Sequence, residues 1–142
     1  MKNSLHYKLR ISHTNCQKAI VHTIAENTDL RPGEPKILEF LSENEPCTQK
    51  EIAAGCSLDS ASVTGILGRM ESRNLVIREC KNGNRRSLYV SMTEYGKQMA
   101  QEAEKAFSLI DGIASAGLSD EELSEFMRML DVINNNLTQQ GD

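Results

Sequence analysis

The chain has no tryptophan, and aromatic residues make up only 4% of its 142 positions. A core poor in rings must be filled by aliphatic side chains, which favours packed helices. No run approaches the ~20 consecutive apolar residues that a membrane-crossing helix needs. The opening MKNSLHYKLRISHTNCQ lacks the apolar stretch of a secretory signal, so the expected location is the cytoplasm and no membrane partner is expected. The four cysteines, at 16, 47, 56 and 80, form no CxxC pair. In a reducing compartment that favours free thiols over disulfides or a zinc site. Also missing are a glycine-rich phosphate loop, paired catalytic carboxylates and a nucleophile with a neighbouring base. These absences argue against an enzyme, and they leave no cofactor or metal to expect.

What the chain does have is charge sorted by region. The net charge is −4. Residues 60–92 carry six basic side chains (Arg69, Arg73, Arg78, Lys81, Arg85, Arg86) against two acidic ones (Glu71, Glu79), a local +4. Residues 93–142 carry three basic against ten acidic, a local −7. Screening confines each field to about 8–10 Å, so a basic face that meets phosphates is compatible with an acidic total.

The spacing of apolar residues predicts the elements. Leu5, Leu9, Cys16, Ile20 and Ile24 follow a helical period over residues 4–27. After Pro32 and Gly33, a second helix over 34–43 turns Ile37, Leu38 and Leu41 inward, with Phe40 as a further anchor. Thr48-Gln49-Lys50-Glu51 matches a capping box, so a short helix starts at Gln49 and ends at Gly55. Asp59 caps the next helix, in which Val63, Ile66, Leu67 and Met70 face the core and Ser60, Ser62, Gly65, Arg69 and Ser72 face away. Leu75-Val76-Ile77 and Leu88-Tyr89-Val90 flank Asn82-Gly83, a strong hairpin signal. Thr93 then caps a long helix carrying Met92, Met99, Ala106, Ile110 and Ile113 at a 3-4 spacing. After Gly117-Leu118, Ser119-Asp120-Glu121-Glu122 is a second capping box that opens a last helix.

Two capped helices followed by a basic hairpin spell a winged helix-turn-helix, the second helix entering a DNA major groove and the hairpin reaching the backbone or minor groove. The fold class is therefore mainly α with a small β-hairpin wing, and N- and C-terminal helices are added to it. The expected division is 1–30 and 93–142 for dimerisation and 31–92 for DNA binding. Leu5, Leu9 and Ile20 at one end, and Leu123, Phe126, Leu130, Ile133 and Leu137 at the other, offer more apolar stripe than a small winged domain can cover. A second copy of the chain is the economical cover, and a dimer matches two half-sites on double-stranded DNA.

On the helix from Ser60, the hydroxyls of Ser60, Ser62 and Thr64 are candidate base or phosphate contacts, and Arg69 could pair with phosphate or a guanine edge. The plainer alternative is that Ser60 and Ser62 only cap and solvate the helix start. Lys81, Arg85 and Arg86 cluster around the wing turn, where a guanidinium can enter a narrow minor groove or clamp phosphates, with Arg78 and Asn84 beside them. Thr48, Gln49 and Lys50 sit at a helix start and are candidate phosphate contacts. Cys80, between Arg78 and Lys81, is the one redox candidate. His6, His13 and His22 share a helix, but no clustered acid or thiol joins them as metal ligands.

Over about residues 30–137, and more loosely before, the chain resembles the MarR (multiple antibiotic resistance regulator) family of bacterial transcription factors. The resemblance is carried by TQKEIAAGCSLDSASVTGILGRMESRNLVIR, by the wing NGNRRSLYVSMTEYGK, and by the order of elements. It implies a homodimer with interlocked terminal helices, paired winged domains on a near-palindromic operator, and repression. It also implies a small-molecule effector that binds between the dimer helices and the winged domain. Two departures stand out. The family wing has Asp-x-Arg, whereas here Asn84-Arg85-Arg86 puts an amide in place of the acid. The peroxide-sensing branch has Leu-Cys-Phe early in its first helix, whereas this chain has Leu5-His6-Tyr7. Two other readings stay open: the same fold switched by thiol oxidation, and a winged helix used as a protein-interaction module.

Overall fold

A computed structural model describes residues 2–80, 83 and 88–140, without the side chain of residue 140. Along it run α1 (Leu5–Asn27), α2 (Glu34–Asn44), β1 (Cys47–Thr48), α3 (Gln49–Gly55), α4 (Ser60–Ser72), β2 (Val76–Cys80), β3 (Leu88–Met92), α5 (Glu94–Ala114) and α6 (Asp120–Gln140). The chain divides into two compact units, Met1–Ile110 and Asp111–Asp142.

In the first unit, α1 stops because Thr28 folds its hydroxyl and its N–H back onto the Ile24 carbonyl, both at 2.9 Å. Gly33 then turns the chain into α2 with φ at 87°, a conformation side chains resist, and a Cβ there would lie 2.7 Å from Ile66. The inward residues of α2 and α4 meet as the period predicted, and α3 adds Ile52. Ile37, Leu38 and Leu41 of α2, Ile52 of α3, and Val63, Leu67 and Met70 of α4 are fully buried, joined by Leu75, Val76 and Val90. Each such side chain contributes about 1.5–3 kcal/mol relative to exposure. α5 enters through Thr93, whose hydroxyl accepts from the Gly96 N–H at 2.9 Å and donates to the Asn74 carbonyl at 2.6 Å. Gly96 allows that approach, since a Cβ there would run into the Leu75 carbonyl.

The sheet has three strands, in the order β1-β3-β2, all antiparallel. β1 is two residues long, too short to leave a sequence pattern, and it pairs Cys47 with Val90. The wing register differs from the one a two-residue turn at 82–83 implies. Such a turn would set residue 80 opposite 85, whereas Cys80 pairs with Leu88. The physical reason is burial. The observed register puts Val76 and Val90 on one face, both inward, and an odd shift would send one of them to solvent. Lys81, Asn82, Asn84, Arg85 and Arg86 lie outside the described residues.

In the second unit, Ser119 and Glu122 form the expected capping box. The Glu122 N–H donates to the Ser119 hydroxyl at 3.1 Å, and the Ser119 N–H donates to the Glu122 carboxylate at 2.9 Å. None of the described residues of α6 is buried. Phe126, Met127, Met129, Val132 and Leu137 are exposed, and Leu123, Leu130 and Ile133 are half-buried.

Candidate nucleic-acid interface

The helix-turn-helix is set by two caps and one bridge. At α3, Thr48 accepts from the Glu51 N–H at 3.2 Å and donates its hydroxyl to the Glu51 carboxylate at 3.1 Å. The acid thus returns to the capping hydroxyl, where a full box would bring it to the Thr48 N–H. At α4, Asp59 accepts from both the N–H and the hydroxyl of Ser62 at 2.8 Å. Those bonds hold the Asp59 carboxyl below its usual range, the backbone N–H being the larger cause. Between the helices, the Gln49 amide donates to Thr64, which in turn donates to the Ser60 carbonyl at 2.9 Å.

These bonds sort the residues expected to contact DNA. The Ser62 hydroxyl proton is spent on the cap, and the Thr64 proton is spent within its own helix. Ser60, Ala61, Ser62, Thr64 and Arg69 are exposed, whereas Gly65 and Gly68 are half-buried. A Cβ at Gly68 would meet nothing within 4 Å. Packing within the chain therefore does not demand this glycine, although one inside a helix costs about 1 kcal/mol against alanine.

The basic block is less uniform than its sequence. Arg73 is drawn inward, its guanidinium bonding both oxygens of Glu34 (2.7 and 2.6 Å) and the Asp29 carbonyl (2.9 Å). Arg78 pairs with both Glu71 oxygens, at 3.2 and 3.0 Å, which joins β2 to the end of α4 and pulls the Glu71 carboxyl below its ordinary range. Among the described residues, Lys50 and Arg69 are the exposed cations of α3 and α4. Lys81, Arg85 and Arg86, the wing-tip cations, lie outside the described residues.

A family model described as the MarR family matches residues 30–88, from the buried Leu30 to the start of β3. MgrA, an HTH-type transcriptional regulator of Staphylococcus aureus, is 30% identical over 95 residues, spanning 66% of this chain and 63% of MgrA. Over residues 30–88, then, the chain matches the MarR family. A Thauera aromatica protein, provisionally named as a transcriptional regulatory protein for the hcr operon, is 25% identical over 130 residues, 92% of this chain and 78% of that protein. The same fold occurs in CouR, a transcriptional repressor solved on a 23-mer DNA duplex (TM-score 0.83, 22% identity, 94% of each chain). CouR from Rhodococcus jostii RHA1 was also solved with p-coumaroyl-CoA (TM-score 0.80, 21% identity, 93% of this chain and 92% of that one). The matched region is thus of MarR type, and the proteins it is similar to are regulators of transcription.

The thiols of the chain divide in two. Cys47 and Cys56 are buried, and burial raises both thiol pKa values, that of Cys47 to about 11. Cys16 and Cys80 are exposed, Cys80 at the end of β2. Among the described residues no three His, Cys, Asp or Glu side chains are grouped to hold a metal, and no helix is long and apolar enough to cross a membrane.

Sequence reasoning missed the Glu34–Arg73–Asp29 node. Its signal was available, since Glu34 sits on the same helical stripe as Ile37, Leu38 and Leu41 and is 1% exposed. An acid on an inward stripe needs a cation, and Arg73 supplies it.

Proposed function

We propose that the protein is a homodimeric repressor of transcription in the cytoplasm, released from a near-palindromic operator by a small-molecule effector. In this reading 31–92 bind DNA, and 1–30 with 93–142 hold two copies together. The observation that carries it is a division of surface. α4 presents a small polar face without a core role ahead of a basic wing, whereas α6 keeps an apolar seam with no buried residue. The seam of Leu123, Phe126, Leu130, Ile133 and Leu137 on α6 suits a second copy of the chain, and so, by itself, does the stripe of Leu5, Leu9 and Ile20 on α1.

Lys50, Arg69, Lys81, Arg85 and Arg86 supply the charge for phosphates, Arg78 being held by Glu71, with Thr48, Gln49, Ser60, Ser62, Thr64 and Asn84 as polar contacts. Repression is carried over from the CouR repressor solved on a DNA duplex, and binding of a small-molecule effector from the Rhodococcus jostii RHA1 CouR solved with p-coumaroyl-CoA. Sedimentation equilibrium and a mobility-shift titration with duplex fragments flanking the gene test the reading. A dimer that retards one fragment, in a salt-dependent way and against competitor DNA, is expected. A monomer, or equal retardation of every fragment, would overturn it.

A further inference from the structure

The bonded series Gln49–Thr64–Ser60 fixes which way an amide points. Thr64 Oγ1 lies 2.9 Å from the Ser60 carbonyl, an acceptor, so its single proton is directed there. Towards Gln49 the hydroxyl can then only accept. The Gln49 side chain must therefore turn its nitrogen, not its oxygen, to Thr64, as it does across 2.5 Å. One Nε2 hydrogen is used. The second hydrogen and Oε1 have no protein partner among the described residues.

What remains is one donor beside one acceptor, held at the junction of α3 and α4. That pair complements adenine in the major groove, where N7 accepts and the N6 amino group donates. It does not fit guanine, whose major-groove edge offers two acceptors. Thr64 lies on the exposed side of α4, one turn from Ser60 and one from Gly68, where the helix carries almost no side chain to hold a base edge away.

We infer that Gln49 is a specificity-determining residue that reads one adenine in each half-site, and that Thr64 is a positioning residue that orients its amide. The inference rests on the DNA-binding reading above. Position alone suggests other roles, Gln49 as a phosphate contact and Thr64 as a base or phosphate contact.

The test is selection from duplex DNA of random sequence by the full-length protein, followed by competition binding with each base pair of the selected half-site changed in turn. Wild type is expected to require an A·T pair at one position. In Gln49→Ala and Thr64→Val that preference should fall at the same position by on the order of 10- to 100-fold, as for removal of one bidentate base pairing, with other positions kept. Thr64→Ser, which restores the hydroxyl, should recover it. If Gln49→Ala weakens binding equally at every position, Gln49 is a phosphate anchor and the inference fails while DNA binding stands. If wild type selects no sequence at all, both readings fail. Thr64→Val leaves Gln49 in place, so a change confined to Gln49→Ala also overturns the positioning role.

Discussion

The winged unit and the last helix solve the same problem in opposite ways. Between Leu30 and Val90, the inward residues of α2, α3, α4 and the sheet are buried in their own chain. Over Asp120–Gln140, an equally periodic set of apolar residues is left half-buried or exposed. An apolar stripe predicts a helix in both places, but it does not say which chain will cover it. The wing and its helices are closed locally because β1 and the caps of α3 and α4 return each element onto the last. α6 has a well-formed cap and no such closure.

The largest effect that separates the two regions is expected in the core. Leu67→Ala should lower the unfolding free energy by about 3–4 kcal/mol, because a fully buried leucine leaves a cavity between packed helices. That destabilisation, read from urea unfolding, should not depend on protein concentration. Phe126→Ala, at an exposed site on α6, should show a destabilisation that grows as the protein is diluted, since mass action governs an interface. Equal, concentration-independent effects would erase the contrast.

Next in size is the node that ties α2 to the end of α4. Glu34→Ala leaves the Arg73 guanidinium without its carboxylate in a mostly buried setting and should cost about 3 kcal/mol by the same measurement. Glu34→Leu combined with Arg73→Met should recover most of it, because paired apolar replacements remove the orphaned charge. A double variant as unstable as the single one would mean that the bonds to Asp29 matter more than the ion pair.

A smaller effect, on DNA affinity alone, is expected from the wing. Arg85→Ala with Arg86→Ala should leave the thermal midpoint unchanged and flatten the dependence of log Kobs on log salt by about 0.9 for each phosphate no longer neutralised. An unaltered slope would remove the wing tip from the interface and leave Lys50 and Arg69 as its cations.

Much of this was legible in the residues. The caps at Thr48, Asp59, Thr93 and Ser119 and the inward periods of α2 and α4 fall where the sequence predicts them, because both signals are local. Four features were not legible, and each depends on a contact between different elements of the chain. β1 exists only because Cys47 meets Val90. The register of β2 against β3 goes with the burial of Val76 and Val90, which lie on different strands. The charge of Arg73 and Arg78 looks available in the sequence, whereas in the fold Glu34 and Glu71 hold it. The direction of the Gln49 amide belongs with these, since it depends on a residue fifteen positions away.

The smallest expected effect is on pH. In the winged unit the Asp59 carboxyl is held low by the Ser62 N–H and hydroxyl, and Glu71 by Arg78. On α6, Glu125 is held low by Arg128 one turn along. A carboxyl whose folded pKa is depressed takes up its proton first in the unfolded chain. Its contribution is therefore complete above the unfolded value, about 4, and disappears as pH falls through the folded one. Asp59→Asn keeps an oxygen for the Ser62 N–H but cannot titrate, so the fall of its thermal midpoint on acidification should be shallower than in wild type. Glu125→Gln should change that slope less, because a surface pair on one helix is worth little and is screened by salt. If the two substitutions flatten the acid limb alike, the cap of α4 is no more tightly held than an exposed pair on α6, and the contrast between the regions rests on burial alone.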